Sequence, residues 1–448
     1  SAGIATVHDG ALDRRRAVGK LVNLSDLLVH EPLTGKSGIG HTRWATHGEP
    51  STRNAHPHQA GPVAVVHNGI IENYRELRAE LVGSGAQIQT DTDTETIALM
   101  VDLYLRQGDS PRAAVERVLK RLDGAFALAF LFESDADLMI AARKGSPLAI
   151  GHGEGENFVG SDAIALAPMT DKITYLEEGD MAVITRSSIE IRDADGQLAN
   201  REMREIQRDR AQVNKDGYKH FMAKEIAEQP QVISEAIGHY FGASGSENRL
   251  SDGALKFTGV NRMVLVACGT AYYACVVAKY WIEKLAGIPV EVDVASEFRY
   301  REPPVGLDTI ALFVSQSGET ADTLAALRYC KGKAKQILSV VNVPESSIAR
   351  ESDIALPILA GIEIGVASTK AFSCQLTVLM AMTLEAARQR GQLGDDTQAD
   401  TIAALRGLPS RLNLALDAGS LIEQISNELA EARDVLFLGR GQMYPLAL

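Results

Sequence analysis

Cysteine is scarce. The 448 residues hold four, Cys268, Cys275, Cys330 and Cys374, and none before Cys268. No two form a CxxC pair, which excludes a disulfide framework and a zinc ribbon. They read as reduced, packed thiols, and reduced thiols suggest a cytoplasmic protein. Basic charge is also short: 45 Lys and Arg stand against 58 Asp and Glu, a net charge of −13. That excludes sequence-independent nucleic-acid binding and docking on anionic membrane, both of which need basic surface. It leaves room for a phosphorylated small molecule, which needs one local site. No uncharged apolar run reaches the roughly 18 residues of a membrane span. The N-terminus has no basic region followed by a long apolar stretch, so no signal peptide is expected. The ten histidines and the carboxylates show no metal-ligand spacing. No organic-cofactor motif is evident, so neither metal nor cofactor is expected.

What is present suits full cores: 45% hydrophobic and 23% charged residues over a length for two or three domains. Residues 1–205 read as grouped strands and grouped helices, an α+β layering. Strands are expected at Gly38–Ala45, Val63–Ile71, Ala125–Leu131, Leu138–Ala142 and Met181–Thr185. Helices are expected at Glu72–Leu81, Thr94–Leu105 and Pro111–Leu122, the last with Ser110 as N-cap and Pro111 at its first position. The charged stretch 199–217 reads as a linker, and residues 206–255 as linker plus a connecting helix, Met222–Tyr240, interrupted at Pro230. Residues 256–400 alternate strand and helix (Met263–Ala267, Val290–Val294, Thr309–Val314, Ile337–Asn342), which predicts a doubly wound parallel sheet. Val264–Tyr273 compares with Val435–Tyr444, so residues 418–448 read as the beginning of a second such domain. The chain starts inside a strand without Met and stops as a helix begins, which gives the expectation of a fragment.

Four clusters could carry chemistry. Thr42-Arg-Trp-Ala-Thr-His-Gly48 puts a guanidinium and hydroxyls at a strand end, suited to a carboxylate; a surface Arg beside a structural Trp is the alternative. His67-Asn-Gly69 has the donors of an oxyanion hole, but Asn-Gly between apolar runs is also a hairpin signal, and locally the hairpin is favoured. Asp91-Thr-Asp-Thr-Glu95 could hold an ammonium group or cap a helix. Together Arg43, Asp93, Asn68 and Gly69 would bind a zwitterion and a developing oxyanion. Ser315-Gln-Ser-Gly-Glu-Thr320 follows an apolar strand and opens a helix. Three hydroxyls at a helix N-terminus suit a phosphate, against an ordinary cap that needs only one. No nucleophile is evident in the first half. Ser1 stands first as written, so an N-terminal-serine hydrolase with its α-amino group as base is weighed.

These residues carry a resemblance. TRWATHG (42–48), HNGIIEN (67–73) and TDTET (92–96) resemble the class II, N-terminal-nucleophile glutamine amidotransferase domain, an αββα fold. ACGTAYY (267–273), ASEFRYRE (295–302), SQSGETADT (315–323) and EIGVASTKAF (363–372) resemble the sugar isomerase (SIS) domain. In this order, joined by KEIAEQP (224–230), they are similar to the isomerising glutamine–fructose-6-phosphate aminotransferases over essentially the whole chain. The resemblance implies that an N-terminal Cys thiolate releases ammonia from glutamine. The ammonia would pass through a channel to fructose 6-phosphate, giving glucosamine 6-phosphate. It implies Arg43 for the glutamine carboxylate and Asp93 for its amino group. Trp44, Thr46 and His47 would line the pocket, and Asn68 and Gly69 would form the oxyanion hole. Ser315, Gln316, Ser317 and Thr320 would cradle the phosphate, with Thr270, Val366 and Ser368 beside the sugar. It also implies a homodimer.

The family's nucleophilic Cys lies upstream of the segment that Ser1 matches, so Ser1 aligns with an internal serine. The isomerase Glu, Lys and His lie beyond Leu448. As written, the chain is expected to hold binding residues without the catalytic ones, and to be inactive. The alternatives are a phosphosugar-binding SIS regulator and a deglycase-like relative without glutamine use. The amidotransferase half argues against the first, and the presence of Arg43, Asn68 and Asp93 against the second.

Overall fold

The computed structural model describes residues 1–43, 47–205, 214–242 and 248–448. Trp44 and Thr46 therefore lie outside the described residues. The chain divides into two compact units, Ser1–Gln212 and Val213–Leu448.

Unit 1 opens with β1 (Ala2–His8), β2 (Ala11–Ala17), α1 (Leu21–His30), β3 (Ser37–Thr42), β4 (His58–Ala60) and β5 (Val63–Ile71). Then come α2 (Tyr74–Gly83), α3 (Asp93–Arg106), α4 (Pro111–Leu119), β6 (Gly124–Phe132) and β7 (Asp135–Lys144). It closes with β8 (Ala149–His152), β9 (Asn157–Gly160), α5 (Ala163–Leu166), β10 (Lys172–Tyr175), β11 (Met181–Ile184), β12 (Ile189–Arg192) and β13 (Met203–Glu205). The strands form antiparallel sheets ordered β2-β1-β3, β12-β11-β7-β6-β5-β4 and β13-β10-β8-β9.

The strand β5, next to the sheet edge, explains the layering. Successive side chains of a strand point to opposite faces. Val63, Val65 and Ile71 join Leu77, Ile97, Val101 and Val115 in a core under α2, α3 and α4. Ala64 and Val66 instead meet Ala5, Val7 and Ile39 of the three-stranded sheet. A further core, with Ala127, Ala141, Ile150 and Leu176, joins the six- and four-stranded sheets. The result is a helix layer on a sheet that packs on further sheets, and α1 touches the outer pair β1 and β2.

Two local expectations change. Asn68-Gly69 does not turn a hairpin: β5 runs through it, paired residue by residue with β6 from Val63–Phe132 to Ile71–Gly124. Gly69 has φ +145°, and a Cβ there would lie 2.0 Å from the Ala125 carbonyl oxygen, so the glycine serves close strand approach. The expected linker begins later, because Met203–Glu205 adds an edge strand to β10. Arg201, bonded to buried Asp180 at 2.7 Å, anchors it. By contrast α4 starts as expected, with Ser110 Oγ accepting from Ala113 N at 3.3 Å.

Unit 2 contains α6 (Phe221–Phe241), β14 (Arg262–Ala267), α7 (Gly269–Trp281), β15 (Val290–Val294), α8 (Ala295–Arg301) and β16 (Thr309–Ser315). It continues through α9 (Ala321–Cys330), β17 (Gln336–Val341), α10 (Ser347–Glu351), β18 (Ile354–Pro357) and α11 (Lys370–Gln389). The last helices are α12 (Asp395–Arg406), α13 (Leu408–Leu416), α14 (Gly419–Leu429) and α15 (Tyr444–Ala447).

The expected break at Pro230 does not occur. Proline cannot donate to the carbonyl four residues back, here that of Ile226. Gln229 Nε2 donates to that oxygen at 3.1 Å, so α6 continues. The stretch Val435–Leu438, expected as a strand, is exposed and outside any described sheet; extended backbone needs a ladder partner.

The sheet of unit 2 is parallel, ordered β15-β14-β16-β17-β18. One face packs with α6, α7 and α11, through residues such as Leu265, Leu312, Ile237 and Val378. The other packs with α8, α9 and α10, through Val266, Phe313, Phe298, Leu327 and Ile348. This is a doubly wound α/β fold. Its chain order reverses between β14 and β16, and ligands bind at the carboxyl ends of strands at such a switch point.

Candidate functional site

In unit 1, β5 and α3 bring three of the expected residues into one neighbourhood. Thr92 caps α3 by accepting from Glu95 N, so capping falls to neither aspartate. Asp93, 3% exposed, accepts from Ile71 N of β5 at 2.9 Å, which ties the helix start to the end of the strand carrying Asn68 and Gly69. His47 Nδ1 lies 3.9 Å and His67 Nδ1 3.8 Å from its carboxylate. Asp91 is engaged elsewhere, since its carboxylate accepts from Asn54 Nδ2 at 3.2 Å and its N–H donates to Asn54 Oδ1 at 3.1 Å.

Arg43 is 9% exposed and turned onto its own loop. It donates to the carbonyls of His47, Gly48 (3.0 Å) and Glu49 (3.4 Å). Burial lowers its pKa, with Asp93 opposing. The guanidinium has five N–H donors, so these bonds shape the 47–49 turn and leave donors over. Asn68 is exposed and borders a cavity of about 230 Å³, with Ile39, His41 and Val159 from the facing strands β3 and β9.

A group with no counterpart among the sequence expectations surrounds this neighbourhood. His41 stacks on His56 with ring centroids 4.6 Å apart, and His56 meets His58 edge-on at 4.9 Å. Thr94 Oγ1 lies 3.0 Å from His67 Nδ1 and 3.2 Å from His56 Nε2, and Thr92 Oγ1 lies 3.0 Å from His58 Nε2. Burial pushes His41 down to about 4 and His58 down to about 3. It also lowers His56 and His67. The imidazoles are neutral packing and hydrogen-bonding groups. Among the described residues, no cluster of three or more His, Cys, Asp or Glu could hold a metal. The run His56-Pro-His58, close before a strand containing His67, was the available signal.

In unit 2 the cradle stands at the switch point: Ala267 of β14 pairs with Val314 of β16, which leads into Ser315. Ser315 is buried; its Oγ accepts from Gly318 N at 3.0 Å and meets Thr320 Oγ1 at 3.0 Å. It therefore shapes the turn. Ser317 is exposed and accepts from Glu319 N at 3.2 Å, which leaves its proton to donate outward. Thr320 is the N-cap of α9 without a side-chain cap bond, so the first N–H groups of that helix are open to an anion. Gly318, at φ +66°, passes so close to Ser346 that a Cβ would meet Ser346 Oγ at 1.9 Å.

The turn is braced from outside. Ser347 N donates to Glu319 Oε1 at 2.7 Å, and Asn342 N donates to the Gln316 carbonyl at 3.1 Å. Asn342 also donates to the Gly361 carbonyl at 2.6 Å and accepts from Ala360 N at 3.0 Å. It thereby links the cradle to the segment leading to Val366 and Ser368. Thr270 is exposed in the first turn of α7, Val366 is 96% exposed, and Ser368 Oγ donates to Glu363 at 3.0 Å.

Unit 1 is thus a layered antiparallel domain in which Asp93, Asn68 and Gly69 lie near one another, and unit 2 a doubly wound parallel sheet with a hydroxyl-lined turn at its switch point. Comparison with known proteins agrees. A glutamine amidotransferase domain family matches residues 41–168, and an SIS domain family matches residues 256–385. The glutamine–fructose-6-phosphate aminotransferase [isomerizing] of Zymomonas mobilis subsp. mobilis is 53% identical over 448 residues, covering 100% of this chain and 74% of that protein. The enzyme of the same name from Bradyrhizobium diazoefficiens is 54% identical over 449 residues, with the same coverage. The solved C-terminal domain of glucosamine-fructose-6-phosphate aminotransferase from Francisella tularensis matches with a TM-score of 0.51 and 43% identity. That match covers 52% of this chain and 66% of that one. The chain belongs to the isomerising glutamine–fructose-6-phosphate aminotransferase family, and spans about three quarters of the length of these curated relatives.

Proposed function

We propose that the protein converts fructose 6-phosphate and glutamine to glucosamine 6-phosphate and glutamate. In unit 1, Arg43 takes the glutamine carboxylate and Asp93 its ammonium group. Trp44, Thr46 and His47 complete the pocket, and Asn68 and Gly69 donate to the oxyanion. Water takes the acyl group and ammonia leaves. In unit 2, Ser317, Thr320 and the start of α9 hold the phosphate, while Ser315 and Gln316 set the turn. Thr270, Val366 and Ser368 flank the sugar. Ammonia adds to the C2 carbonyl of the open ketose with loss of water, and a proton shift from C1 to C2 gives the amino aldose. The glutamine step uses a cysteine thiolate as nucleophile; unit 1 has no cysteine, so the protein assayed must carry that thiolate in addition to residues 1–448.

The reading is carried by a hydroxyl-lined cradle at the switch point of a sheet whose chain also holds Arg43, Asp93 and the Asn68–Gly69 pair. A neutral loop at a helix N-terminus suits a sugar phosphate, held by hydrogen bonds and the helix dipole. The protein acts as a homodimer in the cytoplasm. Four free cysteines support that compartment. The test is product formation with glutamine and a panel of phosphosugars. Glucosamine 6-phosphate from fructose 6-phosphate, with little product from ribose 5-phosphate, is expected. Equal use of the panel would refute the acceptor assignment.

A further inference from the structure

The segment from Ile358 to Thr369 connects β18 to α11 at the ligand-binding edge of the sheet and has no regular structure. Its tip is open to solvent at Val366, so its own packing does not hold it. Two carboxylates do. Glu363 accepts from Ser368 Oγ (3.0 Å), Thr369 N (2.9 Å) and Ala371 N (3.2 Å), which fixes the side of the tip that leads into α11. On the other side, Glu225 of α6 accepts from Ile364 N at 2.6 Å and from Gly365 N at 3.0 Å.

Glu225 is 2% exposed, and its hydrogen bonds go to these backbone donors. Hydrogen bonds to an ionised carboxylate are about twice as strong as neutral ones. The fit is tight: a Cβ on Gly365 would lie 2.5 Å from Glu225 Oε2, so a larger residue there would displace the carboxylate from its present bonds. Neighbouring residues on the same face of α6 continue the attachment. Glu228 pairs with Lys370 Nζ at 2.7 Å, and Gln229 Oε1 accepts from Ser373 Oγ at 2.6 Å. Spacings of three and four residues share one helix face. The motif Lys224-Glu-Ile-Ala-Glu-Gln-Pro230 therefore does more than connect: it fastens the segment that carries Val366 and Ser368.

We propose that Glu225 is a positioning residue for the sugar part of the acceptor site, acting through the backbone of Ile364 and Gly365. The inference rests on the proposed placement of fructose 6-phosphate in unit 2. It separates two parts of recognition. The phosphate cradle is braced by Asn342 through Gln316, Ser346 against Gly318 and Ser347 through Glu319. The sugar-flanking tip is braced by Glu225.

The test is calorimetric titration of the protein and its Glu225→Gln and Gly365→Ala variants with fructose 6-phosphate and, separately, inorganic phosphate. Gln keeps the size but replaces one acceptor oxygen by a donor. Gly365→Ala attacks the same contact from the other side. Both variants are expected to bind fructose 6-phosphate about tenfold more weakly, the scale of one charge-assisted hydrogen bond, with phosphate affinity unchanged. Equal loss for both ligands would mean general damage to the unit and overturn the proposal. Unchanged fructose 6-phosphate affinity in Glu225→Gln would overturn it too. If the unaltered protein bound phosphate but not fructose 6-phosphate, the failure would lie in the acceptor assignment.

Discussion

Acidification should weaken unit 1 well above the pH at which carboxylates titrate. The cause is the imidazole group formed by half-buried His41 and buried His56, His58 and His67. An unfolded histidine takes up a proton near pH 6.5. In the fold, burial delays that uptake to about 4 for His41 and about 3 for His58. Between those limits the unfolded chain binds protons and the folded one does not, so stability falls as pH falls. Above pH 6.5 both states are neutral at these sites and the penalty vanishes. At pH 5 each of the two histidines costs about 2 kcal/mol, so together about 4 kcal/mol is lost, a large part of the roughly 5–15 kcal/mol that holds a domain. His56 and His67 shift in the same direction and deepen the fall. Urea unfolding at pH 7, 6 and 5 measures it. The two tryptophans are Trp44 and Trp281, one in each unit, so a Trp281→Phe background makes fluorescence report on unit 1. Replacing His58 by Gln, which does not titrate, should flatten the slope. A free energy that stays level between pH 7 and 5, or rises on acidification, would refute the reasoning.

Two further outcomes follow from single contacts. Gly69→Ala puts a methyl 2.0 Å from the Ala125 carbonyl at a φ that L-residues avoid, and should cost about 3 kcal/mol or more by urea unfolding. A loss below about 0.5 kcal/mol would show that β5 and β6 can part there, since neutral surface changes fall in that range. Ser317→Ala removes the outward hydroxyl of the cradle and should weaken fructose 6-phosphate binding about fivefold to tenfold while glutamine binding stays unchanged. Equal loss at both substrates would assign Ser317 a structural role instead.

The layering and the switch point were readable because they rest on periodicity. Apolar runs such as Thr309–Ser315 and the punctuation at Ser110-Pro111 report local preferences that packing reinforces. The misreadings turn on hydrogen-bond partners that local composition does not announce. Asn68-Gly69 looks like a hairpin until β6 pairs along it. Pro230 looks like a helix break until Gln229 satisfies the Ile226 carbonyl. Val435–Leu438 has strand composition but no described strand beside it. In the site, composition gave the residue types but not what each one does. Ser315 and Ser317 look equivalent in the sequence, yet one shapes the turn and the other faces out. The supports Asn342, Glu225 and Glu363 act over long spans or through backbone atoms, which carry no side-chain signature.

In the proposed reaction one protein moves the amide nitrogen of glutamine onto fructose 6-phosphate. The most direct measurement supplies amide-labelled ¹⁵N-glutamine with unlabelled fructose 6-phosphate and follows the label by mass spectrometry. ¹⁵N is expected in glucosamine 6-phosphate, with one glutamate formed per amino sugar. Glutamate released into a reaction that yields only free labelled ammonia, or amino sugar formed without label, would contradict it.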